Sequence, residues 1–261
     1  MDRLTRVPLR CILVFFVYAI PCFPAFSFTD DAACASKWSA FLGELSVSHK
    51  SLEPIYQNLI NTCDDEFKNR IHATIAVQTV LSYKEARHAM FSEIDNNEGV
   101  VCTVYTNYCI KTNDIPNANI VNAEHAWPQS MGSQGIAKSD LHHLYPTQSD
   151  VNSIRGNDPY CNVKKVVWEK DGSRIGDDEN GVRCFEPRHE DKGDIARSLF
   201  YFSLRYKLPI DPDQEDVLRE WILLDPVSDD ETERHRRIVE KQNNRNPLVD
   251  HSEFSRFVED F

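Results

Sequence analysis

The stretch from Asn119 to Tyr160, NIVNAEHAWPQSMGSQGIAKSDLHHLYPTQSDVNSIRGNDPY, sets a local order of elements that few folds accommodate. Ile120 to Trp127 alternates in polarity as a half-buried strand does, and Pro128 ends it by removing a ladder donor. Pro128 to Ser139 carries two glycines among polar side chains, the composition of a connecting loop. Leu141 to Tyr145 reads as a second strand. Thr147, Ser149 and Asp150 are helix-entry residues, with Ser149 or Asp150 as N-cap, so a helix is expected from Val151. The predicted order is strand, loop, strand, helix.

That order fixes the directions of the side chains able to do chemistry. The strand neighbours Glu124 and His125 point to opposite faces. Asn152 and Arg155, three apart, share a helical face, and Asn157 follows Gly156 at the helix end. Divergent neighbours suit phosphodiester hydrolysis, which needs a base on the attacking side and a metal on the leaving side. Taken singly, Glu124 and His125 are ordinary strand-end polar residues and Asn152 an ordinary helix-entry residue. His142 and His143 should point one to the core and one to the cleft, with a structural hydrogen bond preferred over a site role for His143. Asp140 is expected to orient a loop and Trp127 to pack.

The segments NAEHAWPQS, SDLHHLYPT and DVNSIRGNDPY resemble the endonuclease I family of secreted and periplasmic nucleases, which carry a ββα-metal active-site motif. GDIARSLFYFSLRY (Gly193 to Tyr206) and NNRNPLVDHSEF (Asn243 to Phe254) extend the likeness to about residues 75–258. The resemblance implies an α+β, mainly helical single domain over residues 28–261 around a small β component, with the motif at about residues 119–160. It implies His125 as general base, Glu124 and Asn152 as ligands of one Mg²⁺ (Mn²⁺ or Ca²⁺ as substitutes), and Arg155 on the phosphate. It also implies cleavage of DNA and RNA with little sequence specificity, leaving 5′-phosphate ends. Some relatives carry a further active-site arginine in a longer insertion after the first strand; here Pro128 to Ser139 holds none. Arg245, in the last matching segment, is read as packing.

Elsewhere the chain reads more plainly. Residues 1–27 combine Arg3, Arg6 and Arg10, the apolar run Ile12 to Ile20, and Ala25-Phe26-Ser27, the pattern of a cleaved secretory signal. The run is well short of the ~20 residues of a membrane span. A periplasmic or secreted protein without a membrane anchor is expected. Six cysteines remain beyond it, Cys34, Cys63, Cys102, Cys109, Cys161 and Cys184. An even set in an exported chain favours disulfides, pairing in sequence order being the simplest choice, and the rival is a zinc site on Cys161, Cys184 and a histidine. Ala32 to Asn69 and Asn69 to Ile94 are helical in pattern, with Trp38, Phe41, Leu42 and Leu45 in the core. His72 and His88 have no ligand partner at i+4. Val100 to Tyr108 and Tyr160 to Trp168 read as strands, and Asp171 to Gly181 as an acidic loop lacking the EF-hand ligand pattern. Helices are expected over Gly193 to Tyr206, Val217 to Leu224 and Ser228 to Asn243, and a short one from Ser252. Arg197 and Arg205 are expected to snorkel or pair at the surface.

Charge sets the main tension. The chain holds 29 Lys plus Arg against 41 Asp plus Glu, and losing residues 1–27 leaves 26 against 40. A polyanion is repelled by such a field unless a local basic face acts within a Debye length of ~10 Å. Salt-sensitive binding of moderate affinity follows. An extracellular ribonuclease of the same chemistry and an inactive disulfide-stapled binding protein are the alternative readings; an HExxH metalloprotease is disfavoured because His125 has no partner at i+4. The helix-rich termini carry no oligomerisation signal, and a monomer is expected.

Overall fold

The computed structural model describes residues 28–261, so the expected export signal lies outside the described residues. Helix α1 (Phe28–Val47) buries Trp38, Phe41 and Leu45 at helical spacing, and the Trp38 ring stacks on Phe257 with centroids 4.2 Å apart. A 3₁₀ turn (Pro54–Leu59) leads to α2 (Asp64–Ile75). The expected helical run to Ile94 is interrupted after Ile75. It resumes at α3 (Tyr83–Ala89), which Ser82 and Glu85 start with a reciprocal capping box, and ends in a π turn, Met90–Ile94.

Three small antiparallel sheets follow. The first joins β1 (Asn96–Asn97), β2 (Val100–Cys102) and β3 (Cys109–Lys111), with Cys102 directly opposite Cys109. The single strand expected over Val100 to Tyr108 therefore stops early, and the chain turns at Tyr105, whose φ is 74°. The second sheet pairs β4 (Val121–His125) with β5 (Leu144–Gln148), Glu124 opposite Tyr145 and His125 opposite Leu144. The expected strand at Leu141 is corrected: Leu141–His143 is a 3₁₀ turn, because the Asp140 carboxylate accepts from the His142 N–H at 3.0 Å and bends the chain there. Helix α4 (Ser149–Arg155) leaves β5 at once, with Gln148 rather than Ser149 or Asp150 as N-cap.

The third sheet contains β6 (Lys165–Lys170), β7 (Ser173–Asp177) and β8 (Arg183–Glu186). The middle of the expected acidic loop, Ser173–Asp177, is thus strand β7. Helices α5 (Lys192–Tyr206), α6 (Pro212–Leu224), α7 (Asp229–Gln242) and α8 (Pro247–Asp250) complete the fold, followed by a 3₁₀ turn, Ser252–Phe257.

The larger core gathers side chains of α1, α2, α5, α6 and the C-terminal segment, and a smaller one gathers α3, the π turn, β4, β5 and α7. Both draw on the β4–β5 ribbon: Val121 and Ala123 enter the smaller core, Ala126 and Tyr145 the larger. The molecule is an α+β single domain. Helix α5 is buried on nearly all sides, so Arg197 and Arg205 are not at the surface as expected. Arg197 is fully buried and paired with Glu231 at 2.6 Å and Asp194 at 3.1 Å, while Arg205 donates to the Gln78 side chain. The cysteines pair in sequence order, Cys34–Cys63, Cys102–Cys109 and Cys161–Cys184. The last bridge consumes both thiols that the zinc alternative required.

Candidate active site

Alternation along β4 sends Glu124 and His125 into different surroundings. On the Glu124 side, Tyr105 donates its hydroxyl to Glu124 Oε1 at 3.0 Å and lies 2.7 Å from the Tyr160 hydroxyl. Arg155 Nε stands 3.4 Å from the same carboxylate oxygen, with both side chains 2% exposed. Burial raises the Glu124 carboxyl above its ordinary value; Arg155 and the Tyr105 hydroxyl act against that shift. The group is a desolvated carboxylate with a single cation beside it.

Asn152 comes to this side from α4. Its Nδ2 donates to Asn122 Oδ1 at 2.8 Å and to the Ala123 carbonyl at 3.3 Å, one peptide unit from Glu124. With the amide nitrogen committed to β4, Oδ1 is the free acceptor of the side chain. The pair offers one carboxylate and one amide oxygen, hard donors of the kind that suit Mg²⁺. In donor chemistry the two side chains suit such an ion, whose charge would relieve the desolvated carboxylate.

Arg155, expected on the phosphate, is held inside the protein. It is 1% exposed, donates to the carbonyls of Ala126 at 3.0 Å and Gly156 at 2.9 Å, and lies over the Tyr160 ring at 4.7 Å. Its Nε has no hydrogen-bond partner. In this pose its charge acts on Glu124.

On the other face His125 is gripped at Nε2 by the Lys138 carbonyl, 3.0 Å away. A carbonyl only accepts, so Nε2 carries the proton and Nδ1 keeps its lone pair. The Gln129 amide sits 3.3 Å from Nδ1, on the half-buried side of the ring. Burial first, then the neighbouring His143, lowers the His125 pKa to about 3, against the smaller opposing effect of the carbonyl. At neutral pH the ring is a neutral base with a set tautomer.

The loop that supplies this carbonyl is anchored at Gly132. Its φ is 115°, and a Cβ there would meet Leu208 Cδ1 at 2.7 Å. Consecutive carbonyls of the loop hold two rings: Lys138 takes His125, and Ala137 takes His143 Nε2 at 2.7 Å. His142 and His143 are both buried, which corrects the expectation that one faces a cleft. His143 touches the site only through its ring, 5.4 Å from that of His125. Asp140 orients the turn as expected and also accepts from Tyr201, Tyr206 and Gln242. Trp127 packs, stacked on Phe202 with centroids 4.9 Å apart.

Tyr105, Tyr160, Gln129 and Tyr83 are site neighbours that sequence reasoning missed. Tyr160 ends the matching segment DVNSIRGNDPY and was findable there. Tyr105 lies in another sheet and reaches Glu124 only through the tertiary fold.

The fold thus sets a buried carboxylate and an amide side chain on one face of a strand and an imidazole with a fixed hydrogen bond on the other. The sequence matches the model of the endonuclease I family over residues 56–253, and the chain belongs to that family. It is 31% identical to the extracellular ribonuclease of Bacillus subtilis (strain 168), covering 95% of this chain and 96% of that protein. It is 32% identical to the extracellular ribonuclease of Bacillus amyloliquefaciens, covering 78% and 77%. It is 30% identical to the extracellular deoxyribonuclease of Aeromonas hydrophila over 43% of this chain and 49% of that protein. The family is one of nucleases, hydrolases acting on nucleic acid.

Proposed function

We propose that the protein is an exported, divalent-metal-dependent endonuclease that hydrolyses phosphodiester bonds of DNA and RNA with little sequence specificity. The observation that carries this is the set tautomer of His125: Nε2 is held by the Lys138 carbonyl, and Nδ1, with only a long bond from the Gln129 amide at 3.3 Å, is the basic nitrogen. His125 Nδ1 takes a proton from the attacking water while Lys138 O steadies the imidazolium that forms. Glu124 Oε2 and Asn152 Oδ1 would hold one Mg²⁺, with water in its other positions. Such an ion supplies Lewis-acid stabilisation of the phosphate oxygen and of the departing O3′, consistent with 5′-phosphate products. Tyr105 and Arg155 hold the Glu124 carboxylate in place, and the Asn122 side chain and Ala123 carbonyl hold Asn152.

RNA stands level with DNA because the two relatives aligned over most of the chain are named extracellular ribonucleases. Export is supported by the relatives' names and by the leader-like composition of residues 1–27. No helix among the described residues is long and apolar enough to cross a membrane. The test is digestion of plasmid and of folded RNA with Mg²⁺ or chelator. Loss of both polymers only with metal supports the reading, and intact polymers in every condition would favour a binding protein that has lost turnover.

A further inference from the structure

Most lysines and arginines among the described residues are neutralised by a carboxylate in an ion pair, as expected of so acidic a chain. Arg87 and Lys138 are not: neither has a carboxylate partner, and both are half-buried. They meet on one ring. The Lys138 ammonium lies 4.6 Å from the Tyr83 centroid and the Arg87 guanidinium 5.6 Å from it. The same ring lies 5.6 Å from that of His125.

Two separate pieces of chain build this cluster. Tyr83 and Arg87 are one helical turn apart on α3, so they share a face, and the capping box at Ser82 fixes where the helix starts. Lys138 comes from the loop whose carbonyl holds His125. The aromatic face limits the freedom of both long side chains, so less entropy is lost when they meet a ligand. Unpaired cations kept next to a base in a chain of net charge −12 suit a polyanion.

We propose that Arg87 and Lys138, seated on Tyr83 beside His125, grip the sugar–phosphate backbone of the polynucleotide next to the bond being cut. This rests on the nuclease reading and deepens it: the pair is the local basic face by which an acidic protein binds an acidic substrate. Contacts to phosphate carry no base information, so DNA and RNA are gripped alike. Lys138 also supplies a cation from the arginine-free loop.

The test is salt-dependent binding of end-labelled single-stranded DNA and RNA 12-mers, read by fluorescence anisotropy with Mg²⁺ present. A His125→Ala background keeps the probe intact. Each neutralised phosphate contact contributes about 0.7 to the slope of log affinity against log salt for single strands. Arg87→Gln and Lys138→Gln should each reduce the slope by roughly that amount on both polymers, and the double variant by about twice as much. Lys138→Arg should restore the slope, and Lys37→Gln, on exposed α1, should leave it unchanged. With His125 intact, the two Gln variants should raise KM several-fold with little change in kcat. Slopes that overlay the parent's, while the parent still binds and cleaves, overturn this inference alone. A parent that cleaves neither polymer overturns the nuclease reading and this inference with it.

Discussion

A roomy cavity among the described residues and the candidate active site are different places. The cavity, about 1290 Å³, lies between α7 and the C-terminal segment and is lined by His235, Arg236, Arg245 and Asp250 among others. There the polar groups already have partners: Arg245 pairs with Asp250, Tyr56 donates to Asp250 at 2.5 Å, and His235 Nε2 accepts from the Asn246 N–H at 3.0 Å. At the β4–β5 ribbon the polar groups are short of partners instead. Arg155 Nε is orphaned, Asn152 Oδ1 is free, and the Glu124 carboxylate is buried with one cation beside it. Open space shows where something could fit, whereas incomplete polar satisfaction shows where binding would be favourable. His235 ties the C-terminal segment to α7 through the Asn246 N–H, while Arg245 pairs with Asp250 within that segment.

The sharpest way to break this contrast is to remove one histidine from each region. His125→Ala should lower kcat by about 10²–10⁴-fold and also lower the thermal midpoint, since its buried bond to the Lys138 carbonyl is lost. His235→Ala should keep most of the activity and lower the midpoint, because a buried hydrogen bond worth on the order of 1–3 kcal/mol is lost. Equal activity losses in the two variants would erase the distinction.

Arginine truncation comes next in size. Arg155→Met strips a buried carboxylate of its cation and should cost about 3–5 kcal/mol in urea denaturation. Arg245→Met, whose side chain is 36% exposed, should cost on the order of 1 kcal/mol. If Arg155→Met is instead as stable as the parent but loses substrate affinity, the arginine touches phosphate and its buried pose is not the working one.

Glu124→Gln should shift the Mg²⁺ concentration for half-activity by about tenfold or more. Asp250→Asn, across the molecule, should leave that titration in place. Overlaid Mg²⁺ titrations of Glu124→Gln and the parent would remove Glu124 from the metal.

The smallest effect is one in which the two regions behave alike. Burial lowers His125 and His235 each to about 3. Below the ordinary histidine value of ~6.5 the unfolded chain takes up protons that these folded rings refuse. Their contribution to stability is therefore complete above that value and is lost as the pH falls towards about 3. Burial and Glu231 push Asp194 up, an opposing effect that cancels when variants are compared with the parent. His125→Gln or His235→Gln should each flatten the stability slope between pH 7 and 5 by roughly one proton. An unchanged slope would mean that the ring titrates in the folded protein as it does in the unfolded one.

Short-range pattern carried a large part of this molecule. The period of two in β4 separated Glu124 from His125, and the spacing of three placed Asn152 and Arg155 on one side of α4. The helices α5 and α7 were legible to within a residue at each end and α6 only in its C-terminal half, because apolar periodicity is a local signal. Cysteine order anticipated all three bridges. The second strand was misplaced because Asp140 caps a turn whose residues, Leu141 to His143, have the hydrophobicity of a strand.

Contacts between distant segments were decided by the tertiary structure alone. Tyr105 reaches Glu124 from another sheet, Arg155 is buried against Ala126 and Tyr160, and α3 brings Tyr83 and Arg87 to a loop some fifty residues further along the chain. The physical reason is range. Side-chain direction follows from the backbone repeat within a few residues, but what a side chain meets depends on where the rest of the chain returns. The sequence thus identified the groups that could act as base and ligands, and the fold determined the tautomer, burial and neighbouring charge under which each would act.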